Sequence, residues 1–443
     1  MKISKFTSIQ SRKGETFLFN SETEGIITLD PKLKDIYKQY ADNPVELKNI
    51  HPAFYDTLVA YRFIVPKNID EGEDLIKRWE QNDKDHSYFG IIINPTLNCN
   101  LRCWYCYESH KEAQKMNEAT RKAICLLIKN KAEDPKLKLL NVSFFGGEPL
   151  LYFKVNVLPI LSYAAELCQA KGITLHSNFT TNGVLLTDEV IKALNELPLR
   201  QKATFQITLD GNREVHDETR VGINKKPTYD IILSHIASAL KQGNIVHVRF
   251  NYTYNNILTF YDVLEDFKNI GLNNYTNNLF VKFEHVWQDA KNLINSLPLM
   301  EEVHNAFVDA GFCSEKDTCH HRHVCYADLA QNAVINYNGD MFKCTARDFA
   351  PESKEGILKE DGHIYWNEKY EKRMKVRYSN AACRQCVILP ICNGSCTQNK
   401  LEANNTQTCY SGRTEKDKQD YLKVRIEEII LNKQREKAAP STN

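Results

Sequence analysis

Between residues 86 and 310, short apolar runs alternate with longer segments whose apolar positions recur every three to four residues. The short runs predict strands and the longer segments predict helices. Six strand–helix steps favour an α/β fold with a parallel sheet, open or curled into a partial (β/α)6 barrel, with its reacting groups at the carboxyl ends of the strands. The predicted strands are Gly90–Asn94, Asn141–Phe145, Ile173–Thr180, Ala203–Leu209, Val246–Thr253 and Leu279–Phe283.

The first 85 residues follow another pattern. Two short strands, Thr16–Phe19 and Gly25–Leu29, precede a helix that begins at Asp30-Pro31, where Asp suits the N-cap and Pro the first turn. A second helix near Pro52–Tyr61 and a strand at Phe63–Val65 follow. This arrangement predicts a small winged-helix-like module over residues 1–85, ahead of the 86–310 domain and a third domain, 311–443, that ends in a charged helix.

Composition narrows the class of protein. The chain has 443 residues, 57 Lys plus Arg and 56 Asp plus Glu, so no charge excess predicts a nucleic-acid or membrane partner. The N-terminal sequence has no apolar core of signal-peptide length, and we expect a cytoplasmic protein with no transmembrane helix. Its 14 cysteines, in a reducing compartment, predict metal or cluster ligation rather than disulfides.

Three of these cysteines follow the first predicted strand. Cys99, Cys103 and Cys106 have the spacing C-x3-C-x2-C, which places them on one tight loop. Three thiolates can bind three irons of a [4Fe–4S] cluster and leave the fourth iron open to a cofactor or substrate. A zinc loop is the alternative, but structural zinc sites have four ligands, and no fourth Cys or His follows in register.

With Tyr105 before the third cysteine, this segment resembles the CxxxCxxC signature of radical S-adenosylmethionine (SAM) enzymes. The resemblance implies that SAM chelates the open iron through its amino and carboxylate groups. An electron from the cluster, supplied by a low-potential donor such as flavodoxin or ferredoxin, then cleaves SAM to a 5′-deoxyadenosyl radical. That radical removes a hydrogen atom from the substrate. The cofactor supplies the chemistry and the protein aims it.

Three later strand ends resemble SAM-binding motifs of the same superfamily. Gly146–Pro149 matches the GGEP motif, where backbone carbonyls and Glu148 are expected to accept hydrogen bonds from the SAM ammonium. Thr180–Gly183 and Thr208–Gly211 resemble the TNG and SLDG segments, and Arg220 of an HDxxR segment is a partner for the SAM carboxylate. Simple turns are the alternative, because Asn-Gly and Asp-Gly favour turns. The candidate cofactor-binding residues are Gly146, Gly147, Glu148, Thr181, Asn182, Thr208 and Arg220.

Eight more cysteines lie between residues 319 and 409. The arrangement C-x13-G-x4-C from Cys325, then C-x2-C-x5-C-x3-C from Cys383, and a final Cys409 resembles the SPASM domain of radical SAM enzymes that mature peptides and proteins. Cys319 is the eighth thiol, and eight thiolates suffice for two fully ligated [4Fe–4S] clusters. A zinc ribbon is the alternative for the C-x2-C pairs, and Cys313 is an alternative ligand.

The resemblance assigns these ligands to two auxiliary clusters and gives three [4Fe–4S] clusters in all. Auxiliary cluster I takes Cys319, Cys325, Cys344 and Cys396, and auxiliary cluster II takes Cys383, Cys386, Cys392 and Cys409.

The resemblance to radical SAM enzymes with a SPASM domain implies a two-electron oxidation of amino-acid side chains. Such oxidations include formation of thioether, carbon–carbon and carbon–oxygen crosslinks and of formylglycine. The sulfatase-maturating branch has a general-base Asp directly after the third cysteine of auxiliary cluster I, whereas Thr345 follows Cys344 here. The N-terminal module resembles elements that bind a leader peptide by strand addition.

We therefore expect a peptide maturase that oxidatively modifies, and preferably crosslinks, side chains of a ribosomally made precursor peptide with a leader. An anaerobic sulfatase-maturating (formylglycine-generating) enzyme is the alternative, and a non-enzymatic iron–sulfur electron carrier is the alternative of another class. The sequence identifies no catalytic base.

Overall fold

The computed structural model describes residues 1–12, 14–108, 110, 114–223, 225–314, 324–403 and 408–438. The chain forms two compact units. The smaller combines Met1–Lys84, His321–Asp328 and Lys372–Asn443, and the larger combines Asp85–His320 and Leu329–Glu371. Both ends of the chain thus belong to one unit. The three-domain division expected from the sequence stays a prediction.

The larger unit is built on one extended sheet. Six parallel strands are neighbours in chain order, and this confirms the α/β fold class with a largely parallel sheet. These strands are β6 (Tyr88–Ile93), β7 (Leu139–Phe144), β8 (Thr174–Thr181), β9 (Thr204–Leu209), β10 (Ile245–Tyr252) and β11 (Leu279–His285). The first and last residues of each strand lie within two residues of those predicted from the sequence.

Helices connect the strands and cover one face of the sheet. They are α5 (Glu118–Ala132), α6 (Leu158–Lys171), α7 (Asp188–Asn195), α8 (Arg213–Thr219), α9 (Tyr229–Lys241), α10 (Phe260–Asn269) and α11 (Leu293–Asp309). Under them Phe144, Phe179 and Phe205 stack at successive centroid distances of 5.3 Å. Such aromatic contacts bury a large apolar area in the main core.

The opposite face of the same strands is half-buried and polar. Along β8 and β9 buried residues alternate with less buried ones, and the less buried set includes Asn178, Thr180, Gln206 and Thr208. Successive strand residues point to opposite faces, so one face belongs to the core and the other is available to line a cavity.

Residues 311–443 contain short strands that the sequence analysis did not predict. Strand β12 (Cys313–Ser314) pairs with β11, and β13 (Asn332–Ile335) pairs in parallel with β6. Strands β14 (Asp340–Phe342), β15 (Gly356–Leu358) and β16 (Ile364–Trp366) continue the sheet antiparallel. Strands of two to four residues are too short for a hydrophobic period, so the sequence pattern could not show them.

The smaller unit contains the predicted N-terminal module. Strands β2 (Thr7–Arg12), β3 (Glu15–Asn20) and β4 (Gly25–Leu29) form an antiparallel sheet, and β1 (Lys2–Ile3) pairs with β5 (Ile64–Val65). Its helices are α1 (Pro31–Gln39), α2 (Leu47–Ile50), α3 (Pro52–Ala60) and α4 (Glu71–Asn82). The predicted start of α1 is confirmed, because the Asp30 carboxylate accepts the Leu33 amide at 2.8 Å.

The C-terminal part of this unit packs on that module. Phe19 lies in one cluster with Ile388, Leu422 and Ile426, and the Arg425 guanidinium binds Glu24 at 2.8 Å. The helices concerned are α12 (Glu368–Val376), α13 (Ala381–Arg384), α14 (Leu389–Cys392), α15 (Thr397–Glu402) and α16 (Glu415–Ala438). The predicted charged helix near 416–433 is α16.

One segment within the described residues is long and apolar enough to span a membrane by length and composition, Pro149–Lys171. It is not one regular helix, since a 3-10 turn and a π turn precede α6. The inner face of α6, with Ile160, Leu161 and Ala164, is fully buried in the main core. Its apolar character therefore has a packing role in the fold.

A buried ion pair inside the smaller unit gives a stability prediction. The Asp83 carboxylate binds Arg377, whose side chain is 4% exposed, and also accepts the Tyr378 hydroxyl at 3.2 Å. Removing one partner of a buried pair leaves the other charge uncompensated. We expect Asp83→Asn to lower the free energy of unfolding by about 3 kcal/mol in urea denaturation.

Asp74→Asn on α4, the helix that ends one residue before Asp83, is the control. Both side chains of its pair with Arg78 are exposed, so this pair should contribute about 0.5 kcal/mol or less. Equal effects of the two substitutions would contradict the prediction.

Candidate functional site

A cavity of about 300 Å³ lies at the carboxyl ends of the parallel strands, entirely within the larger unit. Its walls are the cysteine loop after β6, the glycine turn after β7, the ends of β8 to β11 and the segment after β14. Nine of the residues predicted from the sequence line it together: Cys99, Cys103, Cys106, Gly146, Gly147, Thr181, Asn182, Thr208 and Arg220.

The three thiols of the cysteine loop share this cavity and interact electrostatically through Cys103. Cys99 is 7% exposed, and its sulfur accepts the Leu101 amide at 3.4 Å. Burial raises the pKa of Cys99 to about 12 and that of Cys106 to about 11. The thiolate forms that ligate metal therefore need a strong positive charge beside them, which bound iron supplies.

No three His, Cys, Asp or Glu side chains among the described residues converge on one ion position. A cubane cluster does not require such convergence, because each thiolate binds a different iron. Three thiols around one cavity with polar walls fit a [4Fe–4S] cluster whose open iron faces SAM.

Neighbouring atoms leave no space for a side chain at the two glycines of the GGEP motif. Gly146 and Gly147 have φ of +79° and +48°. A Cβ on Gly147 would lie 2.1 Å from the Asn98 carbonyl oxygen, and one on Gly146 would lie 2.7 Å from Asn94. Only glycine allows this backbone to approach the cysteine loop so closely. The amide of Gly147 donates to the Glu108 carboxylate.

Glu148 of the same motif lies behind the cavity wall. It is fully buried, and its carboxylate accepts the Thr181 hydroxyl at 2.7 Å, the Asn182 amide at 2.7 Å and the Leu150 amide at 3.0 Å. These bonds fix the turn after β8 against the turn after β7. In this arrangement Glu148 positions Asn182, and its contact with the SAM ammonium stays a prediction.

Asn182 links the third strand to the cluster loop. Its side-chain amide donates to Asn100 at 2.6 Å and toward the Cys99 sulfur at 3.6 Å. Hydrogen bonds to a cluster sulfur shift the electron distribution of the cluster. The Thr180–Gly183 segment is therefore both a turn and a part of the cluster environment.

Tyr105 is the centre of a buried network that the motifs do not disclose. Its hydroxyl donates to Asp210 at 2.7 Å and accepts from Arg220 at 3.1 Å and from Asn251 at 3.0 Å. Burial raises the pKa of Asp210, although Arg220, 3.5 Å away, opposes this. Arg220 thus lines the cavity with its charge balanced by Asp210, and its pairing with the SAM carboxylate stays a prediction.

Four further cavity residues with functional groups escaped the sequence analysis. Glu108 is the one carboxylate on the described cavity wall, and burial raises its pKa to about 7. His110 and His285 add two imidazoles, and His285 lies 3.5 Å from Asp289. Trp287 is 58% exposed and stacks on Tyr107. The available signal was position in the sequence alone: Glu108 follows Cys106 by two residues, and His285 lies two residues after the end of the last predicted strand.

The four cysteines predicted to bind auxiliary cluster II lie together in the smaller unit. Cys383 interacts electrostatically with Cys386, Cys392 and Cys409, and burial raises its pKa to about 11. Cys386 likewise interacts with Cys392 and Cys409. We call this set, Cys383, Cys386, Cys392 and Cys409, the four-cysteine site. Four gathered thiols fit a fully ligated [4Fe–4S] cluster.

The four ligands predicted for auxiliary cluster I are distributed over the chain. Cys319 lies outside the described residues. Cys344 belongs to the larger unit, whereas Cys325 and Cys396 belong to the smaller one. Cys396 follows three residues with positive φ, Asn393 to Ser395, which separate it from Cys392 by a tight turn. The grouping of these four thiols stays a prediction.

Comparison with known proteins defines the class. Residues 93–296 match the sequence profile described as the Radical SAM superfamily. This part of the chain is therefore a radical SAM domain.

Curated relatives cover different shares of the chain. A serine-type anaerobic sulfatase-maturating enzyme of Bacteroides thetaiotaomicron is 24% identical over 369 residues, 70% of this chain and 83% of that protein. The Fe-coproporphyrin III synthase of Methanosarcina barkeri is 29% identical over 40% of this chain and 41% of its own length. The chain thus spans about two fifths of that relative.

Solved structures share the fold. The enzyme anSMEcpe with bound AdoMet has a TM-score of 0.57 at 17% identity, over 77% of this chain and 98% of its own. SuiB of Streptococcus suis bound to S-adenosylmethionine has a TM-score of 0.51 at 16% identity, over 93% of this chain and 100% of its own. At these identities the likeness concerns the fold alone.

The Gly147 contact generates a test of the site. We expect Gly147→Ala to lose bound iron and SAM, because its Cβ would meet the Asn98 carbonyl at 2.1 Å. Iron per protein after anaerobic reconstitution, with SAM binding, measures this. Gly172→Ala is the control, since φ is +70° there and nothing lies within 4 Å. It should cost about 1 kcal/mol of stability and no iron. Full iron in Gly147→Ala would contradict the assignment.

The hydrogen-bond network around Tyr105 generates a second test of the site. Tyr105→Phe leaves Asp210, Arg220 and Asn251 each short of one buried hydrogen bond, at a cost of about 1–3 kcal/mol. We expect the SAM dissociation constant to rise at least about tenfold, measured by anaerobic equilibrium dialysis. The control is Tyr88→Phe: Tyr88 lies at the start of β6 and its hydroxyl donates to Asn332 on β13, so its loss should leave SAM affinity unchanged. An unchanged affinity in Tyr105→Phe would remove this network from SAM binding.

Proposed function

We propose that this radical SAM enzyme is a peptide maturase that oxidatively modifies, preferably by crosslinking, side chains of a ribosomally made precursor peptide. The observation that carries the proposal is the pairing of a radical SAM cavity with a separate four-cysteine site in the same chain. A second cluster can accept the electron that is released when a peptide side chain is oxidised. SuiB and anSMEcpe have also been solved with peptides, the precursor SuiA and Cp18Cys.

When bound, the cluster and SAM supply one-electron radical chemistry. The chain positions them: Cys99, Cys103 and Cys106 hold the cluster, and the glycine turn approaches the cysteine loop. Exposed aromatic rings lie among the residues lining the cavity, with Tyr107 and Trp287 stacked at 6.1 Å and 18°. Such a surface suits an apolar or aromatic side chain of a peptide.

A proton must leave the substrate when its side chain is oxidised. The cavity offers Glu108, His110 and His285 as acceptors, and its wall includes Thr345. By the resemblance described above, a sulfatase maturase has its general-base Asp at that place. A different base therefore favours a different substrate class.

Sulfatase maturation remains the second candidate. It is supported by the sulfatase-maturating enzyme that aligns with 70% of the chain. The presence of Thr345 on the cavity wall argues against sulfatase maturation, because a threonine hydroxyl is not a base near neutral pH. An electron carrier is not retained, because it would have no use for a radical SAM domain.

The N-terminal module would bind the leader of the precursor by adding a strand to its three-stranded sheet. A low-potential flavodoxin or ferredoxin would reduce the SAM-binding cluster, and the reducing cytoplasm would protect the thiols.

The decisive assay gives the anaerobically reconstituted enzyme SAM, a reductant and the small peptide encoded nearest its gene. We expect 5′-deoxyadenosine and a peptide whose intact mass has lost hydrogens at identifiable side chains. Cys103→Ala should abolish both, since one of three iron ligands is gone.

A wild-type enzyme that forms no 5′-deoxyadenosine would contradict radical SAM chemistry. Conversion of a sulfatase peptide to formylglycine, with the precursor unchanged, would select the second candidate.

A further inference from the structure

Cationic side chains surround the four-cysteine site. The Arg413 guanidinium donates to the Cys392 sulfur at 3.4 Å. Lys400 is 2% exposed and interacts electrostatically with Cys383 and Cys392. Lys418 interacts with Cys386 and Cys409.

These charges are held in place by their other contacts. The Lys400 ammonium donates to the Arg377 carbonyl at 2.7 Å and lies 6.0 Å from the ring centre of Tyr410. Arg413 lies over the ring of Tyr421 at 4.8 Å. These contacts hold both cations beside the sulfur atoms of the four-cysteine site.

Acidic groups offset the three cations to different degrees. Lys418 pairs with Glu415 at 2.5 Å, and Asp328 interacts electrostatically with Lys400. Arg413 donates directly to a ligand sulfur, so its charge acts at the shortest range. The order of effect should therefore be Arg413 first and Lys418 last.

We propose that Arg413, Lys400 and Lys418 raise the reduction potential of the iron–sulfur cluster bound by the four-cysteine site. A [4Fe–4S] cluster with four thiolate ligands gains one unit of negative charge on reduction. Net charge and hydrogen bonds to sulfur are two of the properties by which a protein sets the potential of such a cluster. Buried cations stabilise the more negative, reduced state, and the low dielectric of the site strengthens this.

The use of a raised potential in catalysis rests on the proposed function. A two-electron oxidation removes two electrons and two protons from the peptide side chain. One hydrogen atom, an electron with a proton, goes to the SAM-derived radical. The second proton goes to a base, and the second electron needs an oxidised group as its acceptor. A cluster with a raised potential accepts such an electron more readily.

The test is a potentiometric titration of the fully reconstituted enzyme, followed by electron paramagnetic resonance without peptide. The signal of this cluster is the one that Cys386→Ser loses. We expect Arg413→Gln to change its ratio of reduced to oxidised cluster at a fixed potential about tenfold, a shift of ~59 mV to lower potential. Arg413→Lys should recover most of the shift, because it restores the charge.

Lys416→Gln is the matched control, because Lys416 is an exposed cation on the same stretch of chain, and it should leave the potential unchanged. Lys418→Gln is the second variant and should lower the potential by less, which keeps the test valid if Arg413→Gln does not retain iron. Unchanged potentials in the variants that keep the cluster would overturn the proposal. So would an equal shift in Lys416→Gln. None of these results depends on finding the peptide, so they are distinguishable from failure of the proposed function.

Discussion

The contact between two backbone turns underlies the whole radical SAM site. The glycine turn after β7 meets the cysteine loop after β6 at a distance that leaves no space for a side chain, and the Glu148 amide donates to the Asn98 carbonyl at 2.8 Å. This contact fixes where three thiols lie relative to the sheet. Through Glu148 the same contact reaches Thr181 and Asn182, and Asn182 returns to Cys99. The cysteine loop and the turns after β7 and β8 are thus joined by one network of hydrogen bonds.

Tyr105 ties the opposite wall to that piece. Asp210, Arg220 and Asn251 come from three separate places in the chain, and a single hydroxyl joins them. Buried polar groups are stable only when each is paired. Tyr105, the residue before the third cysteine, therefore has a structural role in the site. The sequence motif shows it only as an aromatic residue.

The sequence predicted the parts of this protein that depend on local pattern. Six parallel strands, the start of α1 and the cysteines that line the cavity follow from periodicity, capping and spacing, each of which acts within a few residues. The strands β2 and β13 to β16 were missed because they are short or have few apolar residues and form by pairing with distant partners. The orientation of Glu148 away from the cavity, and the presence of Glu108 and His285 on its wall, depend on tertiary contacts that no local rule encodes.

The joining of both chain ends in one unit has a consequence during synthesis. Phe19 is complete early, yet its packing partners Ile388, Leu422 and Ile426 leave the ribosome roughly 400 residues later. At about 5–20 residues per second this delay is on the order of 20–80 s. During that interval the apolar face of the N-terminal module lacks its native packing partners. A chaperone that protects the nascent chain would therefore bind this module. The four-cysteine site can receive iron only after Cys409, the last of its ligands in the chain, has been synthesised.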